Sequence, residues 1–372
     1  MPIREDRYTF IYIANCLVGR FCRIGNNNQF MSLSLLLVPN GFSNFSSNLR
    51  NRSCHAMHTI LNRRNFLKIA GAATGIAIAP RQLLATPSAV KIGAISYSFR
   101  QIPGSAEEIL GYMQTLGLNT IELMGTPAEI YAGAPSGGPP RRRTDSMTPE
   151  ERTAYMDARR EAQLELQKWR RSAPTEKFTE LGKMYRDAGV EVDILKLGSP
   201  NWSDEDIDYA YRAAKAIGAR GISFEISANS SERMAPFASK HDLLNSMHNH
   251  LQVANEDFSF DEYLAHSPNN MLNLDIGHYV AALGTSPIPV IQQYHDRIAH
   301  LHLKDRKSPE NGQDNVPWGT GDTPIAEVLQ LIRDEGYLIP AMIELEYPIP
   351  EGSSVMEEMG KCVRYCRTAL ES

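Results

Sequence analysis

The sequence predicts an α/β protein of the (β/α)8 TIM-barrel class over residues 90–372. Eight short strand-like runs carry that expectation, with helical patterns between successive runs and a strongly apolar character in the runs themselves. Strands buried on both faces read as near-continuous hydrophobic segments, the mark of a parallel sheet covered by helices. Eight such units fit a closed barrel.

The runs are Lys91–Ser96, Thr120–Met124, Glu191–Leu197, Gly221–Ile226, Leu243–His248, Met271–Asp275, Ile298–Leu303 and Ala341–Glu346. The helix ends between them are readable. Ser105-Ala106-Glu107-Glu108 forms a capping box that opens a helix through Leu116, and Gly117 closes it. Ser203, followed by Asp204-Glu205-Asp206, opens a helix ending near Gly218. Thr323, with Pro324 at the first helical position, opens another that runs through Arg333 and stops at Gly336. One connection breaks the rhythm. Residues 125–175 contain a Pro/Gly/Arg-rich stretch and then a charged helix over Thr148–Trp169. An insertion of this kind either covers the active-site face of a barrel or makes a homo-oligomer contact.

The apolar fraction of 42% and charged fraction of 22% are ordinary for a globular chain. No apolar run reaches the roughly 20 residues that span a bilayer, so no membrane anchor is expected. The net charge of −5 conceals an asymmetry: residues 1–89 carry ten Lys/Arg against two Asp/Glu, which leaves residues 90–372 at −13. A body that acidic repels a phosphate backbone, which argues against a nucleic-acid partner. Cys362 and Cys366 stand at i,i+4 in the last helical pattern and are expected to be buried small apolar residues rather than a redox pair.

The N-terminal region reads as an address. Asn62-Arg63-Arg64-Asn65-Phe66-Leu67-Lys68 precedes the Ala/Gly-rich apolar stretch Ile69–Ala79, and small residues follow around Ala85–Ala89. These are the parts of a secretory signal, with an apolar stretch too short for an anchor. The Arg-Arg-x-Phe-Leu-Lys pattern resembles a twin-arginine export signal, which implies a periplasmic protein. Residues 57–89 are assigned to that signal, starting at Met57. Residues 1–56 lack clear periodicity and are expected to be a disordered tail or to lie upstream of the true start.

Barrel enzymes place their reacting groups at the C-terminal ends of the strands. Here the fourth run ends in Phe224-Glu225-Ile226, and the fifth in Met247-His248-Asn249-His250. The sixth ends in Asp275-Ile276-Gly277-His278, the seventh runs through His300-Leu301-His302-Leu303-Lys304-Asp305, and the eighth carries Glu344-Leu345-Glu346. Five of the ten histidines lie in three of these runs. Residues at i and i+2 of a strand share a face, so His300 and His302 point the same way and Lys304 extends that face. Singly, His302 reads as a hydrogen-bonded core histidine, Asp275 as a helix cap and Glu346 as an ion-pair partner. Together, successive strand ends carrying imidazoles and carboxylates favour a divalent-metal ring with open positions for substrate oxygens. Mn, Co or Zn suits that mixture better than Mg.

Asp275-x-Gly-His278, His302-x-Lys304-Asp305 and Ile343-Glu344 together resemble the xylose-isomerase-like barrel family, over about Val90 to the C-terminus. The Trp318-Gly319-x-Gly321-Asp322 loop is similar to the segment after strand seven in its sugar-isomerase members. The resemblance implies metal ligands from strands five to eight: Asp275, His302, Glu344 and, where epimerases of the family have Glu, His248 or its neighbour His250. It also implies that His278 binds or polarises a substrate oxygen. The implied reaction is sugar isomerisation or epimerisation through an enediolate, with Glu344 as ligand and base. The second group comes from Glu225, Glu346, His300 or Lys304, and His250, His300, Glu346 and Trp318 line the sugar site. The same enolising site would support a lyase or hydratase acting on 3-keto sugars or 3-keto glycosides. A non-catalytic sugar-binding barrel is the alternative of a different class.

Overall fold

The computed structural model describes residues 90–139 and 142–372. The extension 1–56 and the export signal 57–89 lie outside the described residues. The eight predicted strands are all present: β1 (Ile92–Ile95), β2 (Thr120–Met124), β3 (Glu191–Lys196), β4 (Gly221–Glu225), β5 (Leu244–His248), β6 (Asn270–Asp275), β7 (Ile298–Leu303) and β8 (Ala341–Ile343). Every neighbouring pair is parallel, and β8 returns to β1 to close the barrel.

The helices follow in chain order: α1 (Ala106–Leu116), α2 (Gly125–Tyr131), α3 (Pro149–Arg171), α4 (Thr175–Asp187), α5 (Asp204–Ile217), α6 (Ala228–Arg233), α7 (Ala235–His241), α8 (Phe260–Ala265), α9 (Ile276–Leu283), α10 (Ile288–Tyr294), α11 (Ile325–Glu335) and α12 (Val355–Glu371). Among the described residues no helix is long and apolar enough to cross a membrane. The capping box at Ser105 is formed on both sides, and Gly117 takes the left-handed conformation that releases the chain into β2. Ser203 caps α5 by accepting from Asp206 N, and Gly218 ends it.

Among the boundaries that differ from expectation, two do so for a readable local reason. The last strand stops at Ile343 rather than Glu346 because the hydroxyl of Ser98 takes over the ladder, donating to the Ile343 carbonyl and accepting from Leu345 N. Helix α11 starts at Ile325, with Pro324 ahead of it. Thr323 is no cap there, since its Oγ1 accepts from Arg306 N and its own N–H donates to Asp305.

The apolar layer lies between strands and helices, with Leu301, Leu303, Ile222 and Leu274 fully buried in it. Cys362 and Cys366 belong to that layer as free, buried thiols, as expected. The barrel interior is different: Glu122, Ser223, Ser246, Asn273 and His300 are all buried and polar. Ser223 donates to Glu122, His300 joins Ser246 to Glu122, and the Asn273 amide nitrogen meets His302.

Outside the barrel α4 and α5 approach closely at Gly182, where a Cβ would lie 1.9 Å from the Ile217 carbonyl oxygen. Gly182→Ala therefore has to separate the two helices. We expect a loss of about 1–3 kcal/mol in urea unfolding. An unchanged midpoint would show that this contact does not hold the helices in place.

Candidate metal centre

The barrel register sets the site. Asp275 of β6 pairs directly with His302 of β7, and Leu303 pairs with Ile343 of β8 just before Glu344. On the other side, His248 at the end of β5 pairs with Asn273. His248, Asp275, His302 and Glu344 thereby each offer a ligand atom, all within 4.8 Å of one another, and all four residues are buried.

Asp275 is divided between two tasks. Its Oδ1 accepts from His278 N and caps α9, while Oδ2 faces the ring. The cap and the candidate ligand are the same residue, one oxygen each. Asn249 fixes the backbone here, donating to the Asp275 carbonyl and accepting from its N–H. That exchange explains the His-Asn-His run. With Asn249 bound to β6, His248 turns into the ring, its Nε2 3.6 Å from Asp275 Oδ2 and 4.0 Å from Glu344 Oε2. His250 is half exposed and pairs with Glu225 at 2.6 Å. It also meets His248 and His278 in an adjoining group of imidazoles.

His302 lies between two carboxylates. Its Nδ1 is 2.9 Å from Glu344 Oε2, and its Nε2 bonds Glu122. Burial opposes protonation of the ring, yet Glu122 and Glu344 outweigh it and raise the pKa to about 10. His248 has no such partner, and burial followed by the charge of Lys196 holds it well below the usual imidazole range, so it is neutral.

Lys304 is buried with its Nζ 3.0 Å from Asp275 Oδ2, 2.8 Å from Glu344 Oε2 and 2.6 Å from Glu346 Oε2. Burial disfavours the ammonium, but Asp275, Glu344 and Glu346 more than compensate and push its pKa up. It is a fixed cation. His278 lies 3.2 Å from it and accepts a hydrogen bond on Nδ1 from Arg306. Arginine and the lysine ammonium only donate, so each nitrogen of this imidazole faces a cationic donor, Arg306 at Nδ1 and Lys304 at Nε2. Burial, then Lys304, hold His278 far below its ordinary pKa and keep it neutral.

The donor set fits a divalent ion. Two carboxylates and two imidazoles converge from four successive strands with their ligand atoms within 4.8 Å of one another, and Asp275 Oδ2 faces them with an ion-pair contact to Lys304 but no hydrogen bond. His302 has the arrangement of a metal-ligating histidine, one nitrogen toward the ring and the other held by the Glu122 carboxylate.

Two expected sugar contacts are placed elsewhere. His300 is fully buried below the ring with both nitrogens engaged, by Glu122 and Ser246, which leaves no group for a substrate. Trp318 packs edge-on against Tyr365 of α12, ring centroids 5.7 Å apart, and lies half-buried against the hydrophobic core. Its loop is pinned by Asp305, which accepts from the N–H groups of Gly319, Gly321 and Thr323. Glu122, Asn249, Arg306 and Lys196 were not singled out from the sequence. Glu122 did leave a signal, an acidic residue in the middle of a buried apolar run.

Fold and site together define a (β/α)8 barrel with a metal-compatible cluster at its strand ends. Residues 259–364 match the family model described as Xylose isomerase-like TIM barrel. That segment holds Asp275, His302 and Glu344, while His248 lies before it. Among solved structures the chain is similar to the probable 3-DHS dehydratase AsbF of Bacillus anthracis, involved in petrobactin synthesis. The identity is 17% and the TM-score 0.51, over 75% of this chain and 99% of that one. It is also similar to a Xylose isomerase domain protein of Alicyclobacillus acidocaldarius subsp. acidocaldarius, at 12% identity and a TM-score of 0.50, over 76% of this chain and 100% of that one. These likenesses establish the fold. No curated protein matches the sequence.

Replacing Asp275 or His302 by Ala is expected to abolish stoichiometric metal uptake in elemental analysis. Glu122→Gln, which keeps the shape but not the charge behind His302, is expected to weaken affinity by about 10–100-fold. Unaltered affinity in Glu122→Gln would separate the lower polar layer from the metal centre.

Proposed function

We propose that the chain is an enzyme that uses a divalent metal, Mn, Co or Zn, to isomerise or epimerise a sugar by enolisation. The observation that carries this reading is the convergence of His248, Asp275, His302 and Glu344 from four strand ends. Bound there, such an ion would polarise a sugar carbonyl and its neighbouring hydroxyl.

The chain's own groups supply the rest. Lys304, held charged by three carboxylates, places a fixed positive field where oxyanion character develops. His278, held between Lys304 and Arg306, stands where it can bind a substrate oxygen. Neither acts as a base: one is locked protonated, and the other is held far below its ordinary pKa by burial and the adjoining Lys304 and has a cationic donor at each nitrogen. Proton transfer at carbon falls to carboxylates. Glu225 ends β4, while Glu344 and Glu346 follow β8, and in an eight-stranded barrel these strands stand on opposite sides. Carboxylates on opposite sides suit removal of a proton from one face and its return to the other, the requirement of epimerisation.

A second reading, elimination or hydration of a 3-keto sugar or 3-keto glycoside, draws on one feature. A departing oxygen needs its charge stabilised, and the Lys304 ammonium stands at the ring to donate a hydrogen bond to it.

The metal-loaded full chain, incubated with keto and aldo sugars in deuterated water, should place deuterium next to the carbonyl. Product of unchanged mass apart from deuterium supports isomerisation, and loss of water supports the lyase. Glu225→Gln should keep its metal and lose about 10²–10⁴-fold in kcat. Full metal occupancy without deuterium in any candidate sugar would point to a sugar-binding barrel instead. We propose export on the strength of Arg63-Arg64. Fractionation of a bacterial host should find the chain in the periplasm, and R63K/R64K should leave it in the cytoplasm.

A further inference from the structure

The metal centre and its neighbours leave part of the barrel mouth unused. A cavity of about 560 Å³ opens over the ends of β2, β3 and β4, between Met124-Gly125, Lys196–Gly198 and Glu225–Ser227. That volume lies within the range of small-molecule sites. None of the four ring residues lines it. Glu225 joins the two regions: its carboxylate borders the cavity and stands 3.9 Å from His248 Nδ1.

The charges of the cavity cancel in pairs. Lys196 Nζ is 3.2 Å from Glu225 Oε1, and Arg170 donates from Nε to Glu129 at 2.7 Å. These are the only charged residues of the described lining. A phosphate would meet no unpaired cation, and a bidentate clamp of the kind that recognises phosphate is already closed on Glu129. An uncharged hydroxylated ring meets a different surface. Trp202 supplies an aromatic plane, with the Arg170 guanidinium 3.9 Å from its ring centroid. Thr126, Asn201 and Asn229 supply hydroxyl and amide groups around it. A few polar groups about an apolar plane are what orient a neutral polar ligand. Arg170 comes from the end of α3, so the long insertion contributes to this wall.

We infer that the cavity is a second saccharide subsite, which holds an uncharged neighbouring ring while the reacting ring lies at the metal centre. The substrate class is then a glycoside of at least two rings rather than a phosphorylated monosaccharide. This rests on the metal-centre reading given above.

The test uses the full chain loaded with Mn, its metal content checked by elemental analysis. Calorimetry compares methyl glucoside, glucose 6-phosphate and a panel of cellobiose, maltose, trehalose and sucrose. At least one disaccharide is expected to bind about tenfold tighter than methyl glucoside, and glucose 6-phosphate no tighter than methyl glucoside. Trp202→Ala should bring the disaccharide-to-monosaccharide ratio close to one, and Trp202→Phe, which keeps an aromatic plane, should retain it. No gain with any disaccharide, a preference for glucose 6-phosphate, or a ratio unmoved by Trp202→Ala would overturn the subsite while leaving the metal centre intact. A chain that takes up no metal would overturn the metal-centre reading itself.

Discussion

Charge compensation inside the barrel is the constraint on which the rest of this structure depends. Glu122, His302, Glu344, Lys304 and Asp275 are all buried, and each touches an opposite charge. Removing an ion from water costs about several kcal/mol even after relaxation, so any one of them left unpaired would be a severe defect. The set ties β2, β6, β7 and the end of β8 to a common centre. A barrel interior filled with branched apolar residues would be easier to stabilise, yet it could not present ligand atoms. This chain instead fills its upper interior with a connected polar network and leaves the apolar packing to the layer beneath the helices.

That network also separates what each residue can do. His302 and Lys304 stand two apart on one strand face, and both are driven towards the charged form by nearby carboxylates. For His248 and His278 burial comes first and the charge of Lys196 or Lys304 adds to it, so both are neutral although carboxylates stand nearby. The same side-chain type thus takes opposite protonation states a few ångströms apart, decided by which neighbours the strand register delivers. Burial alone would have made every histidine neutral.

Much of this was legible in the sequence because it rests on local rules. Alternating runs and capping signals located all eight strands, the strand-end rule gathered the polar candidates, and the family resemblance singled out Asp275, His302 and Glu344 among them, with His248 or His250 from strand five. What failed was long-range. Glu122 reaches its histidines across the barrel, and nothing near Thr120–Met124 announces His300 or His302 as partners. His300 satisfies the same two-residue periodicity as His302 but lies one layer lower, a distinction of depth that periodicity does not encode. Trp318 stands in a loop whose path is fixed by Asp305 through three backbone N–H groups, so its position follows from a carboxylate thirteen residues away. The choice between His248 and His250 turned on Asn249, whose amide is committed to the backbone of Asp275.

The shared duty of Asp275 has an evolutionary consequence. One carboxyl oxygen finishes the first turn of α9 and the other faces the ring, so the length of this side chain is set by two geometries at once. Glutamate carries the same charge and the same donor atoms, but its additional methylene would have to leave one of the two positions. Drift at this site is therefore closed in a direction that chemistry alone would permit. A lineage could exchange the metal, the sugar or the partner bases while still being unable to lengthen this one residue.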